Sequence, residues 1–218
     1  MKNLMQALSL HSLQRLLTIV TVAVIVRVIF VVGMTWVDYF PPNFASEFLL
    51  GRRDTFYGTY QWAFYVHILS GPCSLVAGLI LMNDRLRQQW PQWHRLVGKT
   101  HVVCVLLLVS PSGLWMAAYN QSGIIAGLGF TALAIATAAT VTMGWRSAVQ
   151  RQFAQHQLWM QRSYVLLCSA VAIRVIGGVT TVAAWTSDWI YPISAWISWL
   201  VPLAIFEGLV RFRSPTAQ

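Results

Sequence analysis

Charge is what this chain has least of, and acid is scarcest. Of its 218 residues only 10% are charged, with 6 Asp and Glu against 15 Lys and Arg. An ordinary soluble domain carries about 25% charged residues, so a water-facing globular surface is excluded. Cysteine is nearly as rare. Cys73, Cys104 and Cys168 are odd in number, form no Cys-x-x-Cys pair and all lie within apolar runs. That excludes a disulfide framework and leaves packing as the expected role of each thiol. Long polar segments are missing too: the longest stretch between apolar runs is 38–57. A single domain over 1–218 is expected. No secretory signal is expected, because the first apolar run is too long and carries Arg27.

What the chain does have is apolar length. It is 57% hydrophobic with a mean hydropathy of +0.59, the composition of a protein whose solvent is mostly lipid. Six runs approach or exceed the ~20 residues that cross a bilayer: about 13–37, 58–82, 96–118, 124–145, 158–184 and 190–210. The expected fold is all-α, a polytopic membrane helix bundle of about six transmembrane helices. Ser70, Gly71, Ser74 and Gly78 share a face of the second run, where small residues let another backbone approach. Pro72 should bend that span, and Ser110-Pro111-Ser112-Gly113 should break the third. Met1, Leu4, Met5 and Leu8 recur at helical spacing and suit a start lying on the membrane surface, with His11 solvated.

The net charge of +9 raises the question of nucleic acid, and its distribution answers it. Eleven basic residues fall at the two termini and in two turns: Lys2, Arg15, Arg85, Arg87, Arg95, Lys99, Arg146, Arg151, Arg162, Arg211 and Arg213. The opposite side holds two, Arg52 and Arg53. This is an orientation signal, not a nucleic-acid patch, and it places both termini in the cytoplasm of a plasma (inner) membrane protein. Trp36, Trp62, Trp115, Trp185 and Trp189 fall at the outer ends of the runs, and Trp93, Trp145 and Trp159 at the inner ends.

Ionisable side chains inside the spans cost at least ~2.5–3.5 kcal/mol at mid-membrane, so each needs a reason. Counting residues from the span ends puts Arg27, His67 and Arg174 at nearly one depth, in the outer half. No acidic residue offers a counter-ion at that level, so the layer suits a carbonyl-bearing or anionic group: a haem propionate, a quinone head group or a carboxylate. A second layer lies at the inner end. His94 and His101 are seven residues apart and share a helix face, His156 opens span five, and Glu207 closes span six. Three histidines and a carboxylate suit a divalent metal or haem iron. The bland alternative is interfacial histidines bonded to head groups or carbonyls. On span five, His156, Met160, Ser163, Leu167, Ala170 and Arg174 recur at helical spacing and join the two layers along one face.

Two motifs carry a family resemblance. His67, Gly71-Pro72, Gly78 and Arg85 precede His94-Arg95-x-x-Gly98-Lys99-x-His101 and Ser112-Gly113; later comes His156-x-x-Trp159-Met160-x-Arg162-Ser163-Tyr164, with Arg174 beyond. Over about residues 60 to 180 this resembles a bacterial family of predicted multi-pass membrane proteins, the domain of unknown function numbered 2306. The resemblance implies a helical bundle in the membrane and no particular activity. A weaker likeness is to b-type cytochromes and ferric reductases, which hold haem between histidines of neighbouring helices. It implies haem b on some pair among His94, His101 and His156, with His101 and His156 as the expected ligands.

Three functions are therefore compatible with the sequence. The first is a b-type-cytochrome-like or quinone-linked electron-transfer protein, with a quinone or anionic group on Arg27, His67 and Arg174. The second is a small-anion transporter using the same layer, with the Gly-Pro and Ser-Pro positions as hinges. The third is an accessory subunit of a membrane complex. The orientation is directly testable. Green fluorescent protein fused to the C-terminus should fluoresce, and alkaline phosphatase fused there should be inactive but active when inserted within 38–57. The reverse pattern inverts the topology.

Overall fold

In the computed structural model, residues 19–46 and 48–213 are described. The surface start at 1–12 with His11, the first residues of span one, and Glu47 lie outside them. The described residues are helical throughout, without a strand, and six helices are long and apolar enough to cross a membrane. They are α1 (Ile19–Asp38), α2 (Thr59–Leu81), α3 (Pro91–Ala118), α4 (Ile124–Val149), α5 (Phe153–Val182) and α6 (Ile190–Arg213). Contacts group the chain into two compact units, 1–52 and 53–218.

In the first unit, α1 closes with a 3-10 turn over Thr35–Asp38. Turns follow, with a bridge between Tyr39 and Pro42. Arg52 is buried; its Nε donates to the Phe48 carbonyl at 3.0 Å and its guanidinium lies 4.9 Å from the Phe48 ring. Arg27 is exposed on α1.

The second unit is built from antiparallel neighbours. α2 packs along α3, α3 on α4, and α4 on α5, while α2 and α5 touch and close a ring of four. α6 packs on α4 and α5 from outside that ring. One end, here the basic end, carries the connections at 82–90 and 150–152. The other, the aromatic end, carries Phe56, Tyr60, Trp115 and Tyr119. Phe56 meets Tyr60 at 6.2 Å and Phe64 at 5.5 Å between ring centroids, and Tyr119 meets Tyr60 at 5.7 Å and stacks on Trp115 at 6.1 Å.

Three helices extend beyond the apolar runs. α3 starts at Pro91 rather than 96, because proline at the first helical position forfeits no intrahelical bond. α4 runs on to Val149 and α5 starts at Phe153, so the second basic turn shrinks to three residues, with Arg151 in the left-handed region at φ 59. The first basic turn contains a helix of its own, Asp84–Gln89, capped by the Asn83 side chain on the Arg85 amide at 2.9 Å. The expected break at Pro111 is a π-helical stretch instead, Val105–Val109, in which Ser110 N–H reaches back five residues to the Val105 carbonyl. Widening the turn just before a proline avoids the ring's clash with the preceding carbonyl. Pro72 lies within continuous α2.

Glycines set the helix spacing in two places. A Cβ on Gly78 of α2 would lie 2.5 Å from the Tyr164 ring of α5, and a Cβ on Gly144 of α4 would lie 2.6 Å from Met160 Sδ of α5. At Gly78 the obstacle is a rigid ring. Gly78→Ala should therefore cost about 1–3 kcal/mol and lower the thermal midpoint in mild detergent. An unchanged midpoint would mean that α5 moves aside freely.

Candidate functional site

The residues singled out by the sequence fall at three levels of the four-helix ring. Nearest the aromatic end, the His67 ring of α2 lies against Gly113 of α3, its Cε1 3.3 Å from where a Gly113 Cβ would stand. His67 Nδ1 is 3.1 Å from Ser112 Oγ. The serine's single proton is committed to its own helix, towards the Leu108 and Val109 carbonyls. The imidazole is also within reach of the Val109 carbonyl, so Ser112 and that carbonyl position the ring. Arg174 of α5 is within electrostatic reach of His67, and its Nη1 donates to the Ala170 carbonyl at 2.8 Å. Arg27, expected at the same depth, belongs to the other compact unit.

His101 occupies the middle level. It is 3% exposed, and its Nδ1 is buried without a hydrogen-bond partner among the described residues. The ring approaches Gly78, 3.7 Å from where a Cβ would stand, beside the Tyr164 ring. The Tyr164 hydroxyl is also buried without a partner among the described residues. Two polar groups from α3 and α5 therefore flank one glycine of α2; the imidazole is within reach of the Ser74 carbonyl and the phenol of Cys168.

At the basic end, His156 Nδ1 donates to the Gly144 carbonyl at 2.9 Å, so its Nε2 keeps the lone pair. His94 is within electrostatic reach of His156 and Arg87. Its Nδ1 is buried without a partner among the described residues. Glu207 of α6 is engaged elsewhere. It accepts from Arg162 Nε and, at 3.0 Å, from Arg162 Nη2, and the same guanidinium lies 4.6 Å from the Trp159 ring centroid.

The inner metal set His94, His101, His156 and Glu207 is thus not gathered around one point. Among the described residues no group of three or more His, Cys, Asp or Glu lies close enough to hold a metal ion. Residue depth fixes only the level of a side chain; here Glu207 turns to Arg162 and His156 to Gly144. His101 lies at the level of Tyr164, eight residues or about 12 Å along α5 from His156.

Sequence reasoning passed over the partners. Ser112, which pairs with His67, read as part of a helix break. Arg162 read as an orientation charge, although its ion pair joins α5 to α6. Tyr164 stood in a quoted motif without a role. The signal was present in that motif: His156 and Met160 contact α4, Arg162 contacts α6, and Tyr164 contacts α2.

Among known proteins, the family described as Predicted membrane protein (DUF2306) matches residues 64–210. No curated protein and no solved structure matches, and the cytochrome-like likeness gains no support.

The Arg162–Glu207 pair is partly shielded, with side chains 18% and 31% exposed. A double-mutant cycle of Arg162→Gln and Glu207→Gln in detergent should give a coupling of about 1 kcal/mol. Additive single effects would show the contact to be energetically idle.

Proposed function

We propose a function for a chain that belongs to the DUF2306 family of predicted membrane proteins. It is a quinone-linked protein that holds a carbonyl-bearing head group between α2 and α5, at His67 and Arg174. The observation that carries this reading is the pairing of His67 with Ser112 in electrostatic reach of Arg174. In this reading the imidazole proton sits on Nδ1, towards Ser112, and Nε2 is the acceptor.

The chemistry suits a carrier that alternates between carbonyl and hydroxyl forms. A quinone carbonyl accepts from a guanidinium N–H. A quinol hydroxyl donates to Nε2. One pair of residues can thus address both redox forms, and the acceptor is also a base for the proton that leaves with oxidation. Lateral entry from the bilayer is natural for such a molecule, because Arg174 is on an exposed face of α5.

A small-anion transporter would draw on the same residues, with the π-helical stretch Val105–Val109 as its hinge. One preparation separates the two readings. Protein purified in mild detergent should carry extractable quinone, and His67→Leu and Arg174→Gln should each lower its content about tenfold. Absence of quinone, together with anion uptake into liposomes that Arg174→Gln abolishes, would replace this reading with transport.

A further inference from the structure

In the half of the ring nearer the basic end, α2 and α3 enclose a cavity of about 250 Å³. Cys73 and Ala77 of α2 line it, with Val97, Thr100, His101 and Cys104 of α3. Its rim faces sideways: Cys73 and Thr100 are exposed, and Leu96, which also borders it, is 56% exposed. On helices that cross a membrane, that side is hydrocarbon. An occupant would enter from lipid.

The lining defines what would fit. It contains no charged residue. Its hydroxyls are already committed to their own helices: Ser74 Oγ donates to the Gly71 carbonyl at 2.7 Å, and Thr100 Oγ1 to the Leu96 carbonyl at 3.1 Å. Cys104 Sγ points to the Ser70 carbonyl at 3.8 Å. His101 differs from all of these. It is 3% exposed and within reach of the Ser74 carbonyl, yet its Nδ1 has no partner among the described residues. A polar group left unpaired in hydrocarbon is costly and rare, and usually signals a missing partner.

We propose that this cavity binds a neutral, lipid-soluble molecule with a single-ring body and one hydroxyl or carbonyl, hydrogen-bonded to His101. The volume, about eight times the ~30 Å³ share of a liquid water, suits one ring with short substituents. The uncharged lining disfavours an ion, which would lose its hydration without gaining a counter-charge. A plain acyl chain would fill the space but leave the imidazole unpaired. The site is distinct from the His67 level. Ser74 lies seven residues beyond His67 on α2, about 10 Å along the axis. The proposal therefore stands or falls independently of quinone binding there.

The probe is a photoactivatable single-ring alkylphenol, applied to the full chain in lipid nanodiscs and mapped by mass spectrometry. Saturable labelling of residues 97–104, competed by unlabelled alkylphenol, is expected. Ala77→Phe fills the cavity without touching the imidazole and should lower labelling about tenfold; His101→Leu should do the same, while His101→Asn keeps a hydrogen-bonding group and most of the labelling. Ala77→Phe decides the matter if His101→Leu does not fold. Labelling that does not saturate, spreads over the exposed face at Val103 and Leu107, or is unchanged in Ala77→Phe overturns the proposal. Full labelling in a folded His101→Leu protein overturns it as well, because the imidazole would then play no part.

Discussion

The second unit depends on how closely α5 approaches its neighbours. Two glycines allow it, Gly78 on α2 and Gly144 on α4, and each receives a large side chain of α5: Tyr164 in one case, Met160 in the other. Without a hydrophobic force between helices in lipid, association rests on such close packing and on the polar contacts it permits. The polar contacts follow from the same seating. With Met160 on Gly144, His156 reaches the carbonyl of that glycine. With Tyr164 on Gly78, the other side of α5 presents Arg162 to Glu207. The His-x-x-Trp-Met-x-Arg-Ser-Tyr motif is in this sense a packing instruction. It joins α5 to α4, α6 and α2 within nine residues.

Hydrocarbon also makes polar groups informative. Most hydroxyls in the spans are satisfied by their own helix. Thr137 donates to Leu133, Thr140 to Ala136, Ser147 to Met143 and Ser194 to Ile190. Such groups need no further account. The exceptions among the described residues include Ser70, Ser110, Ser163, His101 and Tyr164. A serine can be satisfied by a small rotation towards its own backbone. An imidazole or a phenol must look further: His101 is within reach of the Ser74 carbonyl of α2, and the Tyr164 hydroxyl of Cys168, one turn on. His101 and Tyr164 are therefore the informative members of the group, and they sit around the same glycine.

Six apolar runs were legible because hydropathy measures what lipid demands, and the six helices follow it. The ends were not, because hydropathy reports the hydrocarbon and not the helix. Pro91–Arg95 and Phe153–Gln157 are polar turns that continue α3 and α5 past the apolar region. The break expected at Ser110-Pro111 is a π-helical stretch that accommodates the proline, and Pro72, expected to bend its span, lies inside α2. In the candidate site, counting residues recovered levels. His67 and Arg174, and His94 and His156, lie within electrostatic reach of each other. Counting could not recover direction around each helix. Glu207 shares a level with the basic-end histidines and faces a different partner. His101 shares a face with His94 and lies two turns deeper.

The two levels proposed as ligand sites differ in a way that constrains any joint role. The His67 level has a guanidinium in electrostatic reach, so it favours a group that carries or develops negative charge. The His101 level has no charge in its cavity lining, so it favours a group that stays neutral. A molecule that changes charge would partition towards the first, and one that does not towards the second. Ser74 and His67 are about 10 Å apart along α2, too far for one small ring to satisfy both. If both levels are used, they therefore hold two molecules, or two positions of one molecule whose polarity changes between them. The second case would require the ring to pass Ser70 and Cys104, where α2 and α3 are already joined by the Cys104–Ser70 contact. Two separate occupants ask less of the packing.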